Sequence, residues 1–297
     1  MKKLLLLLSL LLTLPTFSQE PDDFAKRLKA ITTKNATFYN IDGIDFSTED
    51  FSGDLSEKGL KKIFKKFSIN DSDIKVKDDY FKNNTIYISK KEDAGDGVSK
   101  INSYYFIEND LKSVSVIWFG YYNKVDKDFE RKYVDLMRNK QIPKAVFEEL
   151  TIDRIDFAGR QIQLGSDCYW RFINIVQCPY NGEMNWSVHN SLESAQNAIQ
   201  NQFTSTKNMK GGKVISEELV PVIFEGLDTT AKKVVYDFTG VKSVLAGMSG
   251  GKTLTIYYVA APVRDNYVSC VMSFWNNDNI NNSGLAPLLQ EVMQLKI

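Results

Sequence analysis

The stretch CYWRFINIVQCPYNGEMNWSVH, at positions 168 to 189, carries the clearest fold signal in this chain of 297 residues. Its first part, from Cys168 to Cys178, is rich in β-branched and aromatic residues and contains no glycine or proline before Cys178, which predicts one long strand. Asn181 and Gly182 form a dipeptide that is typical of a tight hairpin turn. Met184 to His189 predicts the returning strand. The stretch therefore indicates an antiparallel sheet.

Helical and strand-like patterns alternate after this hairpin. Asn190 and Glu193 predict a capped helix start, followed by an apolar stripe that ends near Phe203. Four β-rich stretches come next, the last from Tyr267 to Trp275. A final helix is predicted, and we expect its apolar face to dock on the sheet of its own unit, since a short helix needs packing to be stable. The residues of that face are Leu285, Leu288, Leu289, Val292 and Met293.

The first half of the chain repeats this mixture of elements. Residues 24 to 31 have helical spacing, Thr37 to Phe46 is strand-like, and Asp54 with Glu57 predicts a helix start in the manner of a capping box. Strands are predicted between Thr85 and Tyr122, and a helix after Phe129. We therefore predict an α+β protein of two tandem units, residues 19–150 and 151–297, each a mainly antiparallel sheet packed with amphipathic helices.

The first eighteen residues have the order of a secretory signal peptide. Lys2 and Lys3 precede an apolar run from Leu4 to Leu14, Pro15 breaks it, and Ser18 is the small residue expected before the cut. The run is too short to span a membrane, for which about 20 apolar residues are needed. No cysteine follows it, which disfavours a lipid anchor. We expect an exported protein, periplasmic or extracellular, with no transmembrane segment in the mature chain.

Charge and motifs exclude several functions. Without Lys2 and Lys3 the chain has 35 basic and 37 acidic residues, and this balance argues against a nucleic-acid partner. His189 is the sole histidine, which excludes most zinc sites and histidine-dependent catalytic groups, and we expect it to be a polar residue at a strand end.

The segment from Ala246 to Thr253 resembles a phosphate-binding loop but lacks its first glycine and precedes a strand, so we interpret it as a hairpin loop. No catalytic, cofactor-binding or metal-binding residue is predicted.

Acidic residues cluster between positions 42 and 54, without the ligand spacing of a calcium loop, which favours a solvated loop. These residues are Asp42, Asp45, Glu49, Asp50 and Asp54. Carboxylate pairs of glycoside hydrolases are recognised by their distance in space, so a carboxylate-dependent hydrolase of the cell envelope stays open as an alternative function.

A basic helix is the main candidate surface. Ile63, Phe64 and Phe67 form its apolar stripe, and five lysines lie around the other side. The five candidates for contact with an anionic surface are Lys58, Lys61, Lys62, Lys65 and Lys66. Peripheral membrane contact through this face competes with the simpler interpretation that the stripe packs in a core and the lysines lie in water.

The predictions for the three cysteines follow from the strand assignment. Ten residues of continuous strand would separate the Cα atoms of Cys168 and Cys178 by roughly 30 Å, and a disulfide requires less than about 7 Å. We therefore predict that these two do not pair, and that any disulfide joins one of them to Cys270. Cys270 alternates with apolar neighbours and is predicted to be buried.

The second half also resembles the PsbP-like domain, an antiparallel sheet between helices. The resemblance rests on Gly226, Ala231, Tyr236, the pair Tyr257 and Tyr258, and the strand Tyr267 to Trp275 that leads into the last helix. It implies a binding or assembly role and no enzyme activity. We therefore expect an exported, non-enzymatic binding or assembly-accessory protein of the cell envelope, without a cofactor, whose partner is another protein or an envelope component.

Overall fold

The computed structural model describes residues 24–77, 79–81, 84–109, 112–208, 212–238 and 251–296. Strands hold 51% and helices 19% of the described residues, so the predicted α+β class is wrong and the fold is mainly β. Where a helix was expected at residues 24–31, only a 3-10 turn forms, Phe24–Lys26, followed by a strand. Pairing of that strand on both sides outweighs a weak helical periodicity. The predicted signal peptide, and residues 246–250 of the glycine-rich segment, lie outside the described residues.

The first sheet has eight strands in the spatial order β4-β5-β6-β7-β3-β2-β1-β8. Neighbours are antiparallel, except that β1 and β8 are parallel. The strands are β1 Lys29–Thr32, β2 Ala36–Ile41, β3 Ile44–Ser52, β4 Ile74–Lys77, β5 Thr85–Gly95, β6 Val98–Asn109, β7 Ser113–Tyr122 and β8 Phe147–Glu148. The helices of this part are α1 Glu57–Lys66 and α2 Lys127–Arg138, followed by a 3-10 turn, Lys144–Val146.

Each face of the first sheet is covered by one of these helices. Leu60 and Ile63 of α1 pack against the face that carries Tyr104. Tyr133 of α2 packs against the opposite face, which carries Tyr105. Successive residues of β6 therefore serve two separate cores, as the alternation of a strand requires. The α1 cap is Ser56, whose Oγ accepts from the Gly59 amide at 3.2 Å, and not Asp54 as the sequence suggested.

The second sheet also has eight strands, all antiparallel, in the order β11-β12-β13-β17-β16-β15-β14-β18. A separate hairpin, β9 Arg154–Phe157 and β10 Arg160–Gln163, precedes it. The strands are β11 Tyr169–Phe172, β12 Ile175–Cys178, β13 Gly182–His189, β14 Lys213–Phe224, β15 Leu227–Asp237, β16 Thr253–Val263, β17 Asn266–Trp275 and β18 Met293–Leu295. Its helices are α3 Leu192–Lys207 and a short α4, Pro287–Gln290.

The predicted docking of the closing segment is confirmed. Leu285, Leu288, Leu289 and Val292 are buried in the largest core, together with the β9–β10 hairpin. The helix is only α4, however, because the chain then adds β18 to the sheet beside β14. Among the described residues, β14 before Pro221 pairs with β15 alone, and Leu219 there is 71% exposed.

Helix α3 lies between the two sheets. One side packs on the second sheet through Phe203, and the other side contacts β5 and β6 of the first sheet. Direct hydrogen bonds also join the two sheets. The Asp42 amide donates to the Val188 carbonyl at 3.1 Å, and Asn174 Nδ2 donates to Asn40 Oδ1 at 3.3 Å. The two sheets therefore share an interface.

The prediction for Cys168 and Cys178 is wrong. They form a disulfide, with Cα atoms 4.1 Å apart, because the expected long strand is a hairpin of β11 and β12. The chain reverses at Asn174, whose φ of 56° lies in the left-handed region that asparagine tolerates better than most residues. Cys270 is 1% exposed and unpaired, so its predicted burial is confirmed.

Candidate functional site

The five lysines named from the sequence are all exposed on α1. Four of them, Lys58, Lys61, Lys62 and Lys65, lie on its solvent side. Lys66 differs because its ammonium forms an ion pair with Glu49 and lies 5.0 Å from the centre of the Phe51 ring. The helix buries its apolar stripe, as the simpler interpretation expected.

The sole histidine is at a strand end, as expected, but it is buried. His189 is 2% exposed, with Nδ1 3.0 Å from Ser194 Oγ and Nε2 2.8 Å from Ser269 Oγ. Burial, and secondarily the charge of Arg27, lowers the pKa of His189 to about 4. The ring is therefore neutral near pH 7 and connects β13, α3 and β17.

Two of the acidic residues between positions 42 and 54, Asp42 and Asp45, each bind a different neighbour. Asp42 accepts from Arg27 Nε at 2.9 Å, and Asp45 accepts from Asn40 Nδ2 at 2.8 Å. Burial raises the pKa of Asp45 to about 6.

In the described part of the chain no three His, Cys, Asp or Glu side chains are placed to hold a metal ion. None of the helices in the described ranges has the length and apolar character to cross a membrane.

Two carboxylates do share a cavity on the second sheet, near Arg171. Its volume is about 100 Å³. Glu183 is paired with Arg171 Nη1 at 2.9 Å, and Asp278 accepts from the Trp275 amide at 2.8 Å. Both carboxylates are thus bound to neighbours of their own.

A larger depression lies on the first sheet, beside the end of α1. We call it the aromatic groove. Its volume is about 490 Å³, and its lining includes Phe38, Ser47, Glu49, Lys66, Phe67, Asn102, Tyr104 and Trp118.

Strand register builds the floor of the aromatic groove. Trp118 of β7 lies directly opposite Tyr104 of β6 on one side and Ser47 of β3 on the other. Ser47 in turn lies opposite Phe38 of β2. Directly opposed residues point to the same face of a sheet, so the four form one row. The small Ser47 between two large aromatic rings leaves the depression.

Two further residues orient Trp118. Its indole Nε1 donates to Asn102 Oδ1 at 2.9 Å. Gly120, opposite Asn102 in the sheet, leaves space for the ring, because a Cβ there would come within 2.8 Å of the indole Cζ2. The half-buried ring is therefore held in one orientation.

The walls come from different parts of the chain. On one side the Phe67 ring lies 5.4 Å from that of Tyr104, and Lys66 pairs with Glu49. On the other side the Phe38 ring lies 4.9 Å from that of Phe172, which belongs to the disulfide-bonded hairpin of the second sheet. Both sheets thus contribute to this region.

The sequence did not predict the aromatic groove. Trp118 was assigned to a strand, and nothing marked it as partly exposed. The alternation of Trp118 with Gly120 on one strand face is the only local signal, since glycine within a strand often marks a close approach.

Comparisons with known proteins identify no family for this chain. No protein-family model matches the chain, and no curated protein matches it. Among solved structures, the di-domain ARO/CYC StfQ from the steffimycin biosynthetic pathway aligns at 10% identity over 83% of this chain and 72% of its own, with a TM-score of 0.16. DynU16, from the dynemicin biosynthetic locus, aligns at 9% identity over 86% and 78%, with a TM-score of 0.18. Scores this low support no inference about fold or function.

Proposed function

We propose that this chain is an exported, non-enzymatic binding protein of the cell envelope, and that the aromatic groove is its binding site. The observation that carries the proposal is the fixed Trp118 ring, oriented by Asn102 and Gly120 at the floor of an open depression. An aromatic ring held in this way and left partly exposed offers a ready contact surface for a ligand.

Size and lining support the same role. A volume of about 490 Å³ is within the range of small-molecule sites, which are mostly apolar with a few placed polar groups. Phe38, Phe67 and Tyr104 supply apolar surface, while Asn102 and Glu49 supply polar atoms.

The carboxylates of the aromatic groove favour binding over hydrolysis. Glu49 is paired with Lys66. The next acid on its strand face, Asp45, is four residues away, or roughly 13 Å, which exceeds the separation of the two acids in glycosidases. The groove therefore offers the envelope hydrolase, our alternative, no facing pair of free acids.

Export is supported by one prediction from the sequence and one feature of the structure. The signal peptide predicted at residues 1–18 would direct the chain out of the cytoplasm. The Cys168–Cys178 disulfide fits an oxidising compartment. The resemblance to the PsbP-like domain, which implies a binding or assembly role, agrees with a ligand or partner in the envelope.

The test uses immobilised protein and a fractionated envelope extract. We expect the wild type to retain an extract component and Trp118→Ala to lose it. Tyr180→Ala is the matched control, since Tyr180 is an exposed aromatic residue on the second sheet, and it should retain the component. Circular dichroism would confirm that both variants are folded. Equal retention by wild type and Trp118→Ala would contradict the proposal.

A further inference from the structure

We infer that the ligand of the aromatic groove is an uncharged saccharide chain that stacks on Trp118. This inference rests on the proposed function and adds the chemical class of the ligand. Three features of the groove support it: the spacing of its aromatic rings, its hydrogen-bonding groups and its charge balance.

The aromatic rings are spaced for more than one sugar. One face of a sugar ring carries C–H hydrogens of partial positive charge, and the face of an aromatic ring carries the negative part of its quadrupole, so the two attract. Trp118 and Phe38 are on strands separated by one other strand, so their backbones are about 10 Å apart. This separation matches the span of a disaccharide, with Ser47 between the two stacking surfaces.

Polar groups lie where sugar hydroxyls would come. Asn102 uses its Oδ1 to accept from Trp118, and its Nδ2 donates to no described residue. The Ser47 hydroxyl lies on the floor of the groove, and the Glu49 carboxylate lies in its wall. An acyl chain would cover these groups without replacing their hydrogen bonds to water, which is unfavourable for each group left unpaired. A saccharide supplies both donors and acceptors.

Charge selects against ionic ligands. The two charged side chains that line the aromatic groove, Glu49 and Lys66, are paired with each other. An anion would have to compete with Glu49 for Lys66, and a cation would have to compete with Lys66 for Glu49. An uncharged ligand leaves the pair intact.

The experiment measures binding of a panel of uncharged oligosaccharides by isothermal titration calorimetry. The probes are cello-, chito-, xylo- and malto-oligosaccharides, each compared with its monosaccharide, and a neutral alkyl-chain detergent below its micellar concentration. We expect at least one disaccharide or longer chain to bind more tightly than its monosaccharide, because two stacking surfaces are available. The detergent should not bind at the groove.

The variants test the geometry. Trp118→Ala removes the stacking surface, and Gly120→Ala displaces the ring without removing it; each should weaken the affinity by about tenfold or more. Trp118→Phe should restore part of the binding, and Tyr180→Ala should bind like the wild type. Binding that is unchanged in both Trp118→Ala and Gly120→Ala would overturn the inference, as would a panel in which no saccharide binds the wild type.

Failure of the ligand class can be told apart from failure of the binding function. If the envelope component is retained only when Trp118 is present, but no uncharged oligosaccharide displaces it, then the saccharide inference is wrong and the binding function stands. If retention does not depend on Trp118, the proposed function itself fails.

Discussion

The Nε2 atom of His189 lies 2.8 Å from the hydroxyl oxygen of Ser269, in the interior of the second sheet's contact with α3. The other ring nitrogen, Nδ1, lies 3.0 Å from the hydroxyl oxygen of Ser194 in α3. A neutral imidazole can satisfy both hydroxyl groups by donating to one and accepting from the other. Protonation would put a charge where burial opposes it, and this makes His189 an acid-sensitive point of the fold.

The first prediction concerns acid stability. The pKa of His189 is about 4 in the folded chain and 6.5 when unperturbed, so the unfolded state binds more protons between these values. The stability that depends on the neutral ring is therefore present above pH 6.5 and is lost as the pH falls to about 4, by at most about 3 kcal/mol. His189→Gln should remove this part of the pH dependence. Urea unfolding of both proteins at several pH values tests it, and parallel stability curves would contradict it.

Asp45 should show the opposite sign. Burial raises the pKa of Asp45 to about 6, against the opposing effects of the Asn40 hydrogen bond and the Lys100 charge, so the folded state holds the proton more tightly than the unfolded state. The stability contributed by the protonated form is present below the unperturbed pKa of 3.8 and is lost as the pH rises through 6. Asp45→Asn should therefore stabilise the protein above pH 6, by at most about 2–3 kcal/mol, and the gain should vanish near pH 4.

Thermal unfolding of the wild type and Asp45→Asn on both sides of pH 6 measures this effect. The amide oxygen introduced by this substitution can still accept from Asn40, so the hydrogen bond itself is preserved. A gain that does not depend on pH, or a loss of stability at neutral pH, would show that the Asp45 carboxyl is not destabilised by burial.

Removal of the disulfide should weaken the edge of the second sheet. Cys168 and Cys178 are ten positions apart, and crosslinks that close loops of this size stabilise a fold by about 2–3 kcal/mol. The Cys168→Ala/Cys178→Ala variant should lose about that much in urea unfolding, and each single variant should lose nearly as much, since either change breaks the bond. A double variant as stable as the wild type would mean that the hairpin holds without its crosslink.

Two leucines form a matched pair for the packing of the C-terminal segment. Leu289 is fully buried and Leu219 is 71% exposed. Leu289→Ala leaves a cavity and should cost about 2–5 kcal/mol, whereas Leu219→Ala should change stability by less than about 0.5 kcal/mol. Denaturant titration of both variants measures the difference. Similar values for the two would argue against the position of α4 on the sheet.

Local sequence patterns predicted the elements that depend on neighbours in the chain. The alternation from Ser113 to Tyr122 gave β7, that from Tyr267 to Trp275 gave β17, and the Asn181–Gly182 turn gave the hairpin of β12 and β13. Alternation and turn chemistry are local properties, so they survive in the folded chain.

The features that the sequence did not predict depend on contacts made outside a single strand. The reversal at Asn174 carries no glycine or proline signal and is fixed by the Cys168–Cys178 crosslink and by Asn40 of the first sheet. The aromatic groove depends on register across four strands, which places Trp118 opposite Ser47. A one-residue shift between β3 and β7 would send these side chains to the other face, and no short turn joins those two strands to set their register locally.

The strand order of the second sheet also has a consequence for the time course of folding. β13 pairs with β17, so Glu183 must meet Ser273, and β14 closes with β18, so Phe224 must meet Met293. Such distant pairings carry a large loop-closure entropy and form slowly. Until they form, the edge of β13, with Met184 and Trp186, has no partner on its inner side. We therefore expect the β13–β17 and β14–β18 pairs to form late in folding, with the edge of β13 open to aggregation until then.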